Sequence, residues 1–251
     1  MHSGIFTPVF LASEPSTMEK LDSIVLAGGL GTRLRGVVPE LPKALAPVND
    51  KPFLDIILSS LSKWGCIEKV VIAAGYMADK IIERYKDTSR YNFKMLFSVE
   101  EELLGTGGAI KKALPQTETD NVLVLNGDSY VETDLHVLAK KHMEMSASMT
   151  IVLREVEDAS RYGRVKLNSD NRIECFEEKT PERSKGYINA GMYMIKRKLF
   201  DNVKDNNVIS LEKELLPAFI KEGVYGYISS GKFIDIGIPE TYKIADKYLS
   251  L

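Results

Sequence analysis

A strand that runs straight into a glycine loop constrains this chain most. Residues 22–27, DSIVLA, form a β-branched apolar run, followed without a spacer by Gly28, Gly29, Leu30, Gly31, Thr32 and Arg33. Glycines tolerate the sharp bend that such a junction demands and let backbone amides approach a phosphate chain. Arg33 can fork two phosphate oxygens, and Lys43, just past the stretch bracketed by Pro39 and Pro42, can bring a second charge to the same anion. Two better-known phosphate loops fail at residues with mechanical roles. The dinucleotide fingerprint needs glycine where Leu34 stands, and the Walker loop needs lysine where Val37 follows Gly36. The plain alternative is a tight strand-to-helix turn with a solvated arginine.

Strand and helix signals alternate after this loop. Residues 51–64 carry apolar side chains at helical spacing, 68–74 and 93–99 read as strands, and 77–85 reads as a helix. A short glycine-headed helix is expected over 106–114, a strand over 121–126 and a further helix over 134–145. This rhythm predicts an α/β fold: a Rossmann-like, doubly wound, mixed and mostly parallel sheet, helices on both faces, and the site at the carboxyl ends of the strands. From residue 148 the pattern shifts to strands joined by short turns, over 148–156, 162–168, 171–178 and 186–196, which predicts a small antiparallel lid. Residues 208–223 read as one helix, and the segment from Pro239 reads as a closing helix with proline in its first turn. Its apolar residues belong either to the core or to a homodimer contact. Residues 1–17 are expected to be a flexible leader, with one domain over 18–251.

Lys and Arg number 33 against 35 Asp and Glu, a net charge of -2, so no basic field favours nucleic acid and a polyanionic ligand must be met by a few placed cations. Cys66 and Cys175 lie far apart without metal-ligand spacing, as reduced thiols in a cytoplasmic protein do. No apolar run is long enough to span a membrane.

The segment GGLGTRL followed by Pro42-Lys43 resembles the signature of the sugar-phosphate nucleotidyltransferases, the family that includes glucose-1-phosphate thymidylyltransferase and mannose-1-phosphate guanylyltransferase. The resemblance implies joining of a sugar 1-phosphate to a nucleoside triphosphate, with release of pyrophosphate. It places the nucleotide on Ala27, Gly28, Gly29, Gly31 and Thr32, and the leaving pyrophosphate on Arg33 and Lys43. Asp128, in LNGDS, and Asp235, in FIDIG, stand at strand ends and match in type and order the carboxylates that hold the family's Mg²⁺; Asn126 and Gly127 flank the first on the nucleotide side. Mg²⁺ commonly takes one or two carboxylates with phosphates and water, which suits a triphosphate substrate.

Two further elements carry the resemblance. LLGTGGAI, residues 103–110, resembles the element under the nucleobase, implicating Gly105, Thr106 and Gly107, where glycines would let a flat base lie on the backbone. Glu100 could accept two hydrogen bonds from guanine, or one from the imide of uracil or thymine. On the sugar side, FEEKT (176–180), the NAG of 189–191 and RYGRV imply Lys179 on the sugar phosphate, and Tyr162, Gly163, Asn189 and Glu177 or Glu178 around the sugar; Thr180 replaces the proline usual there. The compact layout after residue 18 is most similar to members that pair D-glycero-D-manno-heptose 1-phosphate with GTP, N-acetylmuramate 1-phosphate with UTP being the alternative. A catalytically silent regulatory subunit would be expected to lack Arg33 or a metal carboxylate, and both are present. The histidines, His2, His136 and His142, lie outside every motif, so no general base is expected.

Overall fold

The computed structural model describes residues 20–177 and 182–250. The expected leader, and with it Glu178 and Lys179, lies outside the described residues.

Strand β1 (Leu21–Leu26) ends at the glycine loop. The chain then makes a 3-10 turn at Lys43–Leu45 and two short paired strands, β2 (Pro47–Val48) and β3 (Lys51–Pro52), before helix α1 (Phe53–Trp64). There follow β4 (Ile67–Ala74), α2 (Ala78–Arg84), β5 (Lys94–Val99), α3 (Gly105–Ala113), β6 (Asn121–Asn126), β7 (Ser129–Val131) and α4 (Leu135–Glu144). Asp134 caps α4, accepting hydrogen bonds from the amides of His136 and Val137. The second half supplies β8 (Met149–Val156), β9 (Arg164–Leu167), β10 (Ile173–Glu177) and β11 (Gly186–Lys196). It closes with α5 (Leu216–Phe219), β12 (Val224–Ser229), β13 (Phe233–Asp235) and α6 (Pro239–Tyr248).

One nine-stranded sheet carries the fold, in the order β10-β9-β11-β6-β1-β4-β5, with β8 paired to β11 and β12 to β8. β5, β4, β1 and β6 are mutually parallel, and β11 joins β6 antiparallel. The expected Rossmann-like α/β sheet is therefore present. Its antiparallel strands extend the central sheet, and β7 and β13 form a small separate pair. In chain order the four parallel strands lie third, second, first, fourth. The strand order reverses between β1 and β6, which is where an open α/β sheet receives its ligand.

Alternation along the buried strands fills both faces. On β1, Val25 packs with Phe53, Leu58 and Leu138, while Ile24 packs with Ile110, Val124 and Leu216 on the other side. α1 buries Phe53, Leu54, Ile57, Leu58 and Leu61, the spacing that marked it in the sequence. On α6 Ala245 is buried, whereas Ile244 and Tyr248 stay exposed.

The helix expected over 208–223 is present as an unbroken helical run over 211–222, but not as one regular α-helix. A π-helical turn occupies Leu211–Leu215, followed by the short α5 and a 3-10 turn at Ile220–Glu222. Pro217 is the reason: it has no N–H to give the carbonyl four residues back, so the regular ladder cannot run through it.

His142 sits buried at the far end of β6 from the glycine loop. Its Nδ1 lies 2.8 Å from Thr150 Oγ1 and its Nε2 3.2 Å from Asn121 Oδ1. Burial lowers its pKa from 6.5 to about 4, with Lys196 adding to the effect. The folded chain thus binds fewer protons than the unfolded chain between those values. Stability is complete above the unfolded value and falls as the pH drops towards the folded one, by on the order of 3 kcal/mol. Urea midpoints at pH 7.5 and pH 5 should differ accordingly in the wild type, and the difference should shrink in His142→Gln.

Candidate active site

The carboxyl ends of β1 and β6 open into a cleft of about 450 Å³. Its walls include Ala27, Gly28, Gly29, Gly31, Thr32 and Arg33 from the loop after β1, Lys43, and Asn126, Gly127 and Asp128 from the end of β6. Glu100, Leu103, Gly105 and Thr106 close the opposite side, and Gly237 completes the wall. The loop after β1, the end of β6 and the segment after β5 share one cavity because these strands end at the same sheet edge, whereas Asp235, Tyr162, Gly163 and Asn189 are not among its lining residues.

The loop after β1 is held from within. Gly31 adopts φ +60°, and a Cβ there would lie 3.2 Å from Lys43 Cβ. Leu34, the residue that rules out a dinucleotide fingerprint, is buried and anchors the loop to the core. Arg35 donates its Nε–H to the carbonyl of Leu30 (3.1 Å) and stacks 4.3 Å from the Tyr76 ring. Arg35 is thus spent on the loop, whereas Arg33 is exposed and has no ion-pair partner among the described residues. The division of labour follows from position, since the two arginines are indistinguishable by residue type.

Lys43 is the cation at the floor. Its side chain is only 12% exposed and forms an ion pair with Asp128. Asp128 and Asp235 come together through β7 and β13: Ser129 faces Asp235 across that pair, and the amide of Ile236 donates to the carbonyl of Asp128 at 2.9 Å. The Asp235 carboxylate accepts from the amide of Gly237 at 2.5 Å. Burial, and then the charge of Asp128, raise the pKa of Asp235, opposed by Lys43 and Arg33. Among the described residues no group of three or more His, Cys, Asp or Glu side chains could hold a metal. A cation here would have two protein carboxylates, a set that fits Mg²⁺ completed by phosphate and water and does not form an all-protein cage. Beside them, Asn126 Oδ1 is buried without a hydrogen-bond partner among the described residues. A polar atom left so in a cleft wall is available to a ligand.

Glu100 is buried against the loop. Its Oε2 accepts from the amide of Leu104 at 2.8 Å, and a Cβ on Gly28 would stand 2.8 Å from Oε1. Burial raises its pKa, opposed mainly by that amide. The neighbouring glycine run differs from expectation. Gly107 is not in the cleft wall. A Cβ on Gly105 would meet the carbonyl of Ile209 at 2.6 Å, and one on Gly107 would meet Leu215 Cδ1 at 2.6 Å. Gly107 donates its N–H to the Ile209 carbonyl at 2.9 Å. At Gly107 the missing side chain admits the 207–215 segment and offers no bed for a base.

Among the residues expected on the sugar side, Tyr162 packs edge-on to Phe233 at 6.2 Å, and its pKa is raised by burial and then by the charge of Asp235. Gly163 beside it has φ +79°. Asn189 stands at a break in register between β11 and β8, a bulge of the kind that re-aims side chains near sites. Its Oδ1 accepts from the amide of Gly191 at 2.9 Å and its Nδ2 donates to the Tyr193 hydroxyl at 2.8 Å. Glu177 is otherwise engaged than the sequence suggests: its carboxylate pairs with Arg164 at 2.8 Å and Lys166 at 2.6 Å, and the hydrogen bond from Lys166 lowers its pKa. The register of β9 and β10 sets Glu177 opposite Arg164. His142 and His136 lie on or beside α4 packing and line no part of the cleft.

The family model of nucleotidyl transferases matches residues 22–249. The chain belongs to the nucleotidyl transferase family. This nucleotidyl transferase is 40% identical over 230 residues to the D-glycero-alpha-D-manno-heptose 1-phosphate guanylyltransferase of Aneurinibacillus thermoaerophilus, covering 91% of this chain and 98% of that protein. It is 33% identical over 226 residues to the mannose-1-phosphate guanylyltransferase of Mycobacterium tuberculosis, covering 89% of this chain and 63% of that one. Among solved structures, HddC from Yersinia pseudotuberculosis complexed with GMP-PN matches with a TM-score of 0.80 and 34% identity, over 90% of this chain and 98% of that chain. Among the described residues no helix is long and apolar enough to cross a membrane.

Proposed function

We propose that this nucleotidyl transferase joins D-glycero-D-manno-heptose 1-phosphate to GTP, forming the GDP-sugar and pyrophosphate. The observation that carries the reaction type is the charge arrangement at the cleft: Arg33, Lys43 and Asp128 line it, and Asp235 stands close enough to feel the charge of all three. The relative from Aneurinibacillus thermoaerophilus, matched over nearly its whole length, supports the heptose phosphate and guanine. The HddC complex with GMP-PN supports a guanine nucleotide.

The nucleotide would lie on the glycine loop, with its phosphates towards Arg33 and Lys43, and its base between Glu100 and the Gly105–Thr106 side. Asn126 and Gly127 would border the α-phosphate. The nucleophile is an oxygen of the sugar phosphate, whose second pKa near ~6 leaves it largely dianionic at neutral pH. It attacks the α-phosphorus in line, the bond to the β-phosphate oxygen breaks, and pyrophosphate departs. No side chain has to remove a proton. The protein's work is positioning and charge neutralisation. Asp128 and Asp235 would hold Mg²⁺, which when bound supplies positive charge at the phosphates. Arg33 and Lys43 would balance the charge that builds on the departing pyrophosphate. Tyr162, Gly163 and Asn189 would meet the sugar, Lys179 its phosphate, and Glu178 a hydroxyl, since Glu177 is committed to Arg164 and Lys166. The unpaired Cys66 and Cys175 fit a reducing cytoplasm.

Pyrophosphate release tests this directly, with GTP, UTP, CTP, dTTP and ATP each offered with the 1-phosphates of the heptose, mannose and N-acetylmuramate. Release should be fastest with GTP and the heptose phosphate. A faster pair would replace the substrates and keep the chemistry, and silence with every pair would favour a regulatory subunit.

A further inference from the structure

Thr106 lines the nucleotide side of the cleft and Asn189 stands on the sugar side, and hydrogen bonds between side chains connect them through one carboxylate. Thr106 Oγ donates to Glu212 Oε2 at 2.6 Å, and Thr106 Oγ itself accepts from the amide of Leu211 at 2.8 Å. Tyr193, fully buried, donates its hydroxyl to Glu212 Oε1 at 3.3 Å. Asn189 Nδ2 donates to that same hydroxyl oxygen at 2.8 Å. Every donor in the series points towards Glu212, because an ionised carboxylate can only accept.

This polarity has a consequence at the sugar side. With the Tyr193 proton committed to Glu212, the Tyr193 oxygen can only receive, so Asn189 must present its NH₂ to it. The Asn189 carbonyl then takes the amide of Gly191 at 2.9 Å and holds the bulge of β11 in shape. The remaining amide hydrogen of Asn189 makes no hydrogen bond among the described residues, and in the proposed reaction it would be the donor to the sugar. Glu212 owes its place to the π-helical turn at Leu211–Leu215, which Pro217 prevents from becoming a regular helix. Such turns recur at functional sites because they displace a side chain from the helical register.

We infer that Glu212 is a positioning residue for sugar 1-phosphate: it fixes the direction of the Tyr193 hydroxyl and thereby the amide orientation of Asn189, while tying that orientation to Thr106 beside the nucleotide. The inference rests on the proposed reaction and needs some sugar 1-phosphate as substrate, whichever sugar that is.

Glu212→Gln is the decisive variant. It keeps the shape but puts an NH₂ where either Tyr193 on Oε1, or Thr106 and Ser210 on Oε2, need an acceptor. If that NH₂ meets Tyr193, the hydroxyl turns and Asn189 flips. The KM for sugar 1-phosphate should rise about tenfold, the size of one lost buried hydrogen bond. The KM for the nucleotide should stay within about twofold, and the melting temperature should change little. Tyr193→Phe removes the relay without touching the carboxylate. It should give the same split between the two KM values, and the double variant should be no worse than either single one. Equal changes in both KM values, no change in either, or additive single effects would overturn the inference and leave Glu212 as a fastening for the 207–215 segment. Should Glu212→Gln fail to fold, the KM split of Tyr193→Phe decides alone. Wild-type protein that releases no pyrophosphate from any sugar 1-phosphate would instead overturn the proposed reaction, and this inference with it.

Discussion

Asp128→Asn is expected to lower turnover at saturating Mg²⁺ by at least about a hundredfold while leaving the fold intact. The magnitude is that of removing one preorganised electrostatic partner from a reacting centre. The fold survives because the backbone carbonyl of Asp128 still accepts from Ile236, the new amide oxygen can still accept from Lys43, and Asp235 remains as a counter-charge for that lysine. The amide also removes a negative charge beside Asp235, whose own carboxyl is already raised by burial and by Asp128. Pyrophosphate release gives the turnover, and thermal unfolding with and without Mg²⁺ gives the second reading: the upward shift produced by the ion in the wild type should be lost. Near-normal turnover, or a variant that no longer folds, would take Asp128 out of this role.

Lys43→Ala should have the next largest effect, and on two quantities at once. Removing the ammonium group leaves Asp128 and Asp235 facing each other with only the exposed Arg33 as a nearby counter-charge. Breaking a buried pair from one side costs several kcal/mol, and the open side of this one reduces that to about 2 kcal/mol. For a chain of this size that is a fall of roughly 4–8 °C in Tm in metal-free buffer. Mg²⁺ should restore much of the loss in stability, because a divalent cation between two carboxylates replaces the missing charge. It should not restore turnover, since Lys43 is also proposed to balance the leaving pyrophosphate. A variant with unchanged Tm, or one whose turnover recovers fully with Mg²⁺, would show that Lys43 serves only as a stand-in for the ion.

Much of this site could be read from the sequence because its residues sit at strand ends. Arg33 follows β1 and Asp128 follows β6, whose carboxyl ends a doubly wound sheet brings to one edge, while Asp235 reaches the same place on β13 through its pairing with β7. The apolar spacing of α1 and the continuous apolar runs of β1 and β6 were equally plain. Three features were not, each for a reason of geometry. Glycine at 107 looks the same in sequence whether a base or a neighbouring backbone takes up the space, and here it is the segment around Ile209. The commitment of Glu177 depends on which residue stands opposite it on β9, and no local pattern states that register. Glu212 lies among residues with helical spacing, and only the interruption by Pro217 brings its carboxylate to Thr106 and Tyr193. Pro217 itself was the available signal.

The pairing of β13 with β7 has a bearing on how the site is completed. The loop that would receive the nucleotide emerges early in synthesis, and the main sheet closes with Ser229. Asp235 arrives later, on a three-residue strand that belongs to neither the main sheet nor its edges. Only a few residues separate the last strand of the main sheet from the second carboxylate, which reaches the cleft through its pairing with β7. The proposed metal pair is thus joined from outside the main sheet, by a strand held in place through β7.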